Sequence, residues 1–141
     1  MSLDLVTPYF EDKLVELGWT LWDEPFAFDN IPSDILDHGF QIETGDLTGE
    51  GITQTVLETR MDVTVRLFRK GYKTPKTIKE ELLTEVQHVL CLCLTASNRL
   101  TAGIKNIEFL SMVPTPLNLE NDNAIVATCI FRCRVILNIG I

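Results

Sequence analysis

Hydrophobic and polar residues alternate along several stretches of the chain, and this alternation predicts β-strands. The clearest stretch ends near residue 67, where odd-numbered positions are apolar and even-numbered positions are polar; its apolar members are Leu57, Met61, Val63, Val65 and Leu67. Alternation also begins at Phe40 and runs through residues 124–137, and a further strand is expected over residues 104–113. Such a pattern is typical of a sheet with one buried face and one solvent-facing face.

Two other segments repeat their apolar residues at helical spacing. Residues 7–17 place Phe10, Leu14 and Leu17 on one face, with Thr7 as the expected cap and Gly18 as the expected stop. A second amphipathic helix begins near Pro75 and ends between residues 98 and 103. The order helix, strands, helix, strands predicts an α+β fold: a mainly antiparallel sheet of four to five strands with two main helices packed on one face.

Glycine- and proline-rich segments separate these elements. Residues 44–51, "TGDLTGEG", have the composition of a hairpin tip, so a mobile loop is expected near 44–54. Residues 114–123, "PTPLNLENDN", are expected to be a turn-rich connection, and residues 26–28 a short strand. The length of 141 residues predicts one domain spanning 1–141.

The amino-acid composition bears on the compartment in which the protein is expected and on the state of its cysteines. Hydrophobic residues make up 45% of the chain, but no apolar run is long enough for a membrane span. The first residues lack the basic start and apolar core of a signal peptide, so we expect the chain to be made and kept in a cytosol. Free cysteines are expected there, and all four lie in apolar runs that favour packing in the core over zinc binding: Cys91, Cys93, Cys129 and Cys133.

Charge is unevenly distributed along the chain. Residues 1–50 carry 12 acidic residues against one base, Lys13, while the rest of the chain carries 8 acidic and 11 basic residues. The net charge of −8 makes a grip on a nucleic acid backbone unfavourable. Opposite fields on two parts of one subunit suit head-to-tail self-association, although simple solvation of both parts explains them as well.

Candidate catalytic and metal-binding residues are few. His38 follows Asp37, so a carboxylate–imidazole pair is conceivable, but no nucleophile or orienting third group lies nearby in the sequence. His88 lies among polar helix residues. The acids around residues 29–46 lack the spacing of a calcium loop and are expected in caps and turns, as at Ser33 before "DILD"; they are Asp29, Asp34, Asp37, Glu43 and Asp46. We therefore expect no enzyme activity, no cofactor and no metal.

A basic turn is the strongest cluster of like charges. Its members are Arg66, Arg69, Lys70, Lys73, Lys76 and Lys79. Nucleic acid is one possible partner, but only Phe68 and Tyr72 supply aromatic stacking. An acidic protein surface is the other, and the first fifty residues of a neighbouring copy would provide one.

Several segments in this order resemble a known family. They are an N-terminal helix, a Trp-containing segment, "FDNIPS", "LDHGFQIETG", the strand "MDVTVRLFRKGY", an amphipathic helix and two closing strands. The combination resembles the tail terminator proteins of long-tailed bacteriophages over nearly the whole chain. That resemblance implies a small α+β protein that forms a hexameric ring on the tail tube, stops its polymerisation and provides the surface that joins the head.

The resemblance also implies partners and contact residues. The partners would be further copies of the chain, the tail tube protein and a head-completion or neck protein, in the virion and assembled in the host cytoplasm. No membrane or sequence-specific DNA binding is expected, although a ring lumen would give DNA a path. For the subunit contact we expect the basic residues Arg66, Arg69, Lys70 and Lys73 to meet Asp34 and Asp37. For the tube or neck we expect a loop that orders on assembly: Gly45, Asp46, Leu47, Thr48, Gly49, Glu50 and Gly51.

Two other functions remain open at this point. One is another neck or head-closure protein of the same virion, which would bind filled heads rather than tails. The other is a small α+β enzyme or ligand-binding module, which would carry a concave pocket containing His38 and acids with shifted pKa values.

Overall fold

The computed structural model describes residues 5–23, 31–32, 34–51, 56–71, 75–118 and 123–138. Within these ranges the chain is an α+β fold, as predicted. Its elements are α1 (Val6–Glu16), β1 (Thr20–Leu21), β2 (Gly39–Gly51), β3 (Val56–Gly71), α2 (Pro75–Leu94), α3 (Ala96–Thr101), β4 (Asn106–Asn118) and β5 (Asn123–Asn138).

One sheet carries all five strands of the described ranges, in the order β1-β2-β3-β5-β4. Every neighbouring pair is antiparallel except β1 with β2, which is parallel. β3 and β5 pair from Val56 with Asn138 to Gly71 with Asn123, so they form the centre of the sheet. The short β1 and the long β4 are its two edges.

The main core lies between this sheet and the helices α1 and α2. Odd-numbered residues of β3 and β5 point into it, which confirms the alternation read from the sequence. Phe131 of β5 is fully buried, and its ring centroid lies 5.0 Å from that of Phe10 in α1. Leu14 and Leu82 are also fully buried. Burying a side chain of this kind contributes roughly 1.5–3 kcal/mol, so the helix face supplies most of the stability of the fold.

A second, smaller core covers one end of the opposite face of the sheet. Trp22, Ile35 and Leu36, from the segment between β1 and β2, pack there. They cover Phe68 of β3, Val126 of β5 and their neighbours Leu117 and Ala124. The rest of that face carries no buried cluster among the described residues; we call this remainder the open face.

The loop predicted near 44–54 is wrong for residues 44–51, which form the second half of β2. Their pairing with β3 continues from Leu47 with Met61 to Gly51 with Leu57. Between Thr44 and Leu47 the register shifts by one residue, which is a β-bulge at Gly45 and Asp46. Tertiary pairing outweighs the low strand preference of glycine here. Residues 52–54 of that prediction lie outside the described residues.

Other boundaries also differ from the predictions. β4 continues through Pro114 and Pro116 to Asn118, so the turn-rich connection is wrong for residues 114–118, and an edge strand tolerates proline. Helix α1 begins at Val6 with Leu5 as its N-cap, so Thr7 lies inside the helix. Gly18, with φ +95°, confirms the predicted stop.

The second helix is two helices, because α2 ends at Leu94 and α3 starts after Thr95. The short strand predicted at 26–28 lies outside the described residues. Cys93, Cys129 and Cys133 are buried as predicted, but Cys91 is exposed on α2, so its assignment to the core is wrong. No helix in the described ranges is both long and apolar enough to cross a membrane.

Candidate assembly surfaces

A network of charged side chains joins the end of β3 to α2 and to the turn before β2. Arg69 donates hydrogen bonds to Asp37 Oδ1 at 2.7 Å and to Glu81 Oε2 at 2.9 Å. Its Nε also lies 3.1 Å from Glu85 Oε1. Burial alone would lower the pKa of Arg69, but the hydrogen bond to Glu81 and the charges of Glu85 and Asp37 outweigh it and raise that pKa.

The turn that presents Asp37 and His38 follows from local backbone bonding. The N–H groups of Ile35 and Leu36 donate to the carbonyl of Pro32, and the Gly39 N–H donates to the carbonyl of Ile35. His38 has φ 64°, a conformation uncommon for a residue with a side chain. A Cβ at position 39 would lie 2.2 Å from the Ile35 oxygen, so only glycine fits where this turn enters β2.

The imidazole of His38 is held between two carboxylates. Its Nε2 lies 2.7 Å from Glu85 Oε2 and its Nδ1 lies 3.1 Å from Asp37 Oδ1, which confirms the pairing of His38 with Asp37. The ring also meets Trp19 edge-on, with centroids 5.2 Å apart. Both ring nitrogens therefore have partners within the chain. His38 lines none of the four hollows that the described residues form near Arg60, Glu58, Tyr9 and Trp22.

Arg69 and Asp37, two residues of the expected contact between subunits, take part in this network, and that contact stays a prediction. These two residues bind each other within one chain, and Arg69 is shared with Glu81 and Glu85 as well. The sequence does not reveal the part of these glutamates, because only the packing of α2 beside the end of β3 brings them to Arg69. Arg66 is also paired internally, at 3.1 Å from Glu43 and 3.3 Å from the Gln41 side-chain oxygen.

The remaining members of the predicted contact are placed differently. Lys70 is half-buried on β3, Asp34 is exposed on the turn, and Lys73 lies outside the described residues. The predicted tube-contact residues 45–51 run along β3 as a strand rather than as a loop. Thr48, for example, donates its hydroxyl to the carbonyl of Arg60 at 3.3 Å. Their contact with a tube or neck stays a prediction.

The open face carries rows of charged residues that run across the strands. In one row Arg132 of β5 lies opposite Asp62 of β3, and their side chains are 3.1 Å apart. The hydrogen bond to Asp62 raises the pKa of Arg132. At the far end of the sheet Lys105 lies 3.4 Å from Glu58. These rows pair opposite charges, which is the favourable arrangement across strands.

One row on this face breaks that rule. Arg60 of β3 lies directly opposite Arg134 of β5, and the flanking positions in register are Thr48 and Asn106, neither of which is acidic. Within the part of the chain that the structure describes, neither guanidinium has a carboxylate partner, and the buried Nε of Arg134 has no hydrogen-bond acceptor. We call these two residues the arginine pair. The sequence alone does not reveal this pair, because only the register of β3 on β5 brings the two residues together.

Acidic side chains lie together at the edge of the sheet formed by β1 and β2. β1 ends at Leu21, so β2 has no further strand beside it among the described residues from Gln41 onward. A hollow of about 280 Å³ lies at this point. Three of its lining residues are acidic, and one of these, Glu43, is paired with Arg66; the lining is Glu11, Leu21, Trp22, Asp23, Gln41, Ile42 and Glu43. We call it the acidic hollow.

The β4 edge is apolar rather than acidic. Phe109, Leu110 and Val113 are exposed there, and Val113 is the most exposed of them at 56%. An extra residue at Leu110 shifts the register between β4 and β5, which bends the strand at this point. The two edges of the sheet are therefore unlike in both charge and side-chain chemistry.

Neither metal chemistry nor known relatives add to this geometry. In the described ranges no group of three or more His, Cys, Asp or Glu residues is placed to hold a metal ion. The chain matches no protein-family model and no curated protein.

Proposed function

We propose that this chain is a structural assembly protein of a long-tailed bacteriophage, a tail terminator. It forms a ring on the end of the tail tube, stops tube polymerisation and provides the surface to which the head joins. The observation that carries the proposal is the pair of unlike open edges on one sheet. The order of elements and the segments quoted above, which resemble that family, give it the specific role.

Unlike edges are compatible with assembly into a ring. When two different surfaces of one subunit meet, the contact is head-to-tail, and repeated contacts close into a ring if the rotation between subunits allows it. Here one edge exposes Phe109, Leu110 and Val113, while the other exposes the carboxylates of the acidic hollow beside Leu21. Pairing of one edge with the same edge of a second copy would instead give a twofold dimer.

The cluster around His38 supports a structural role over a catalytic one. A general base needs a free nitrogen within reach of its substrate, whereas both nitrogens of His38 face carboxylates of the same chain. Arg69 is likewise surrounded by Asp37, Glu81 and Glu85. The network fixes α2 against the turn before β2. Its function in this proposal is to stiffen the subunit.

The proposal places the protein in the tail of the virion, with assembly in the cytoplasm of the host. Its partners are further copies of itself, the tail tube protein and a head-completion protein. No cofactor takes part.

Tube capping tests the proposal directly. The purified chain is mixed with tail tube protein under polymerising conditions, and tubes are measured by electron microscopy. We expect shorter tubes that carry a ring at one end. Val113→Asp, on the β4 edge, is expected to abolish the ring, whereas Leu100→Asp is a matched control, because Leu100 is equally exposed at 57% but lies on α3.

Two results would overturn the proposal. Tubes that grow to full length in the presence of the wild-type chain would exclude a terminator. Binding to filled heads without any binding to tubes would identify a neck or head-closure protein instead.

A further inference from the structure

The arginine pair carries positive charge that the described residues leave uncompensated. Arg60 of β3 and Arg134 of β5 lie directly opposite each other, at a separation where like charges repel. Within the described ranges neither guanidinium has a carboxylate partner, and the buried Nε of Arg134 has no hydrogen-bond acceptor. Buried donors in folded proteins are nearly always satisfied by protein, water or a ligand. The pair therefore lacks an acceptor that an anion would supply.

The two neighbouring rows of the open face do not provide that acceptor, because their acids already have basic partners. Glu58 lies 3.4 Å from Lys105. Asp62 lies 3.1 Å from Arg132, and Glu108 lies opposite Arg132 in register. The unmatched positive charge on this part of the face is therefore that of the arginine pair.

Space for a ligand lies beside the pair. Arg60 and Thr48 of β2 both line two hollows, of about 430 and 350 Å³. The smaller suits an anion better, because the one acid in its described lining, Glu58, is paired, whereas the larger also contains Asp46. The Thr48 hydroxyl donates to the Arg60 carbonyl at 3.3 Å, a long bond that it can exchange for one to a ligand. The side chain of Arg134 forms no hydrogen bond or ion pair with a described residue, so it can turn toward a ligand without losing one.

The charge and size of the pair favour a phosphate group. A guanidinium binds a phosphate or a carboxylate through parallel hydrogen bonds. A phosphate monoester carries about −1.5 to −2 charges at neutral pH, which matches two guanidiniums, whereas a carboxylate matches one. Duplex DNA carries a charge about every 3.4 Å along each strand, while Glu58 and Asp62 lie only about 7 Å from Arg60 along β3. Neighbouring phosphates of a nucleic acid would therefore meet these acids, and a single phosphate group would not.

We propose that the arginine pair binds a single phosphate group, either inorganic phosphate or the phosphate of a small monoester such as a nucleotide. Arg60 and Arg134 bind its oxygens, and the Thr48 hydroxyl donates a further hydrogen bond. This inference goes beyond the proposed ring and does not rest on it, because these three residues belong to one chain. Its test uses the isolated chain, so its failure leaves the result of tube capping unchanged.

Phosphate titration of the wild-type chain is the first test. Sodium phosphate is added at constant ionic strength, so that screening alone cannot account for a response. Nuclear magnetic resonance follows the backbone amides and the arginine Nε–H groups. We expect saturable shifts at Thr48, Arg60 and Arg134 with half-saturation at about 1 mM or below, since several charge-assisted hydrogen bonds form together.

Neutral variants test the two arginines separately. Arg60→Gln and Arg134→Gln are each expected to weaken phosphate binding at least about tenfold, measured by the same titration after circular dichroism confirms folding. Arg66→Gln is the matched control, because Arg66 lies on the same face of β3 and its loss changes the net charge equally, but it is paired with Glu43. The control is expected to bind phosphate like the wild type.

A second ligand distinguishes the sources of the phosphate group. The same titration is repeated with a nucleoside monophosphate. Binding at least about tenfold tighter than that of inorganic phosphate would identify a nucleotide as the ligand, and binding of similar strength would identify free phosphate. Both outcomes support a phosphate site.

Four results would overturn the inference. The first is a wild-type chain without saturable shifts up to about 10 mM phosphate, ten times the expected half-saturation. The second is equal loss of binding in Arg66→Gln and Arg60→Gln, because binding would then follow net charge. The third is acetate binding as tight as that of phosphate, which would indicate a site for a protein carboxylate. The fourth is tighter binding of duplex DNA that lacks terminal phosphates, which would indicate a nucleic acid surface.

Discussion

Two arginine sites on opposite faces of the central sheet differ in how their charge is compensated. On the helix face Arg69 is the only arginine of β3, and Asp37, Glu81 and Glu85 all lie within about 3 Å of its guanidinium. On the open face Arg60 and Arg134 lie opposite each other without an acid between them. Arg132, also on the open face, does have an acid in Asp62, so the contrast is between Arg69 and the arginine pair.

The exposure of Arg60 to water contributes to the difference. A charge that leaves water must find partners or lose free energy, so the arginine at the α2 contact is surrounded by carboxylates. On the open face water screens the repulsion, and the cost of an unpaired like-charge row is small. We therefore expect the helix face to determine the stability of the fold, whereas the residues of the open face can serve in binding. The predictions below test this division.

Large-to-small substitutions should produce the largest difference between the two faces in the free energy of unfolding. Phe131→Ala deletes a fully buried ring that packs on Phe10 and Phe109, and we expect a loss of about 3–5 kcal/mol in the free energy of unfolding. Ile130→Ala, one residue away on the open face, should cost under about 1 kcal/mol. Urea unfolding followed by circular dichroism measures both. Equal losses would contradict the division between the faces.

Neutralising the two kinds of arginine should give the next largest difference. Arg69→Met leaves three carboxylates close together without their cation, and we expect a loss of about 2 kcal/mol. Arg60→Met should change the free energy of unfolding by no more than about 0.5 kcal/mol. The measurement uses the same urea unfolding at low protein concentration, because association adds to apparent stability. If Arg60→Met were the more damaging change, the assignment of the two sites would be reversed.

Alkaline pH should weaken the helix face through its buried thiols and phenol. Burial raises the pKa of Cys93 and of Cys129 from 9.0 to about 12, and burial together with Cys93 raises that of Tyr9 from 10.0 to about 12. A raised pKa in the folded state means that the unfolded chain loses its proton first. The stabilising contribution is therefore complete below pH 9 and is lost as pH rises from 9 to 12, by about 1 kcal/mol for each thiol at pH 10.

The matched variant for this pH effect is Cys129→Ala, which is expected to be less stable at neutral pH but to lose less between pH 9 and 11. Thiol labelling gives an independent check of the same burial. In the folded protein at pH 8, Cys91 should react while Cys93, Cys129 and Cys133 stay protected. Rapid labelling of all four in the folded state would contradict the buried core.

The smallest expected effect is the repulsion within the arginine pair. A double-mutant cycle with Arg60→Thr and Arg134→Thr should give an unfavourable coupling of about 0.5 kcal/mol between the two wild-type side chains. Each single substitution is expected to be neutral or slightly stabilising, since threonine favours strands. A favourable coupling would mean that the two arginines already share an anion within the chain.

Sequence patterns predicted the strands correctly where no glycine or proline opposed the alternation of apolar and polar residues. The alternation in β3 and β5 marks a sheet that is buried on one face, and both strands appear where the pattern placed them. The loop prediction for residues 44–51 was wrong because their glycines favour a loop, whereas pairing with the long strand β3 keeps them in a strand. The turn prediction at Pro114 and Pro116 was wrong for a similar reason, because proline also occurs in edge strands.

The candidate sites were harder to predict because they depend on distant residues. The basic turn was visible in the sequence, but the acids that neutralise Arg69 come from a turn 32 residues before it and from a helix 12 residues after it. The arginine pair needs the strand order and the register of β3 on β5, and neither can be read from alternation. The acidic hollow combines α1, β1 and β2, so only the folded chain brings its carboxylates together.

The two prolines of β4 have a consequence for how this protein behaves at high concentration. An edge strand can recruit further strands without limit and so seed fibrils, and proline prevents this because it has no N–H to donate. Pro114 and Pro116 occupy alternate positions near the end of β4, where two backbone donors are therefore missing. We expect preparations of the wild-type chain to resist amyloid formation on prolonged incubation, and replacement of both prolines by threonine to make them aggregate.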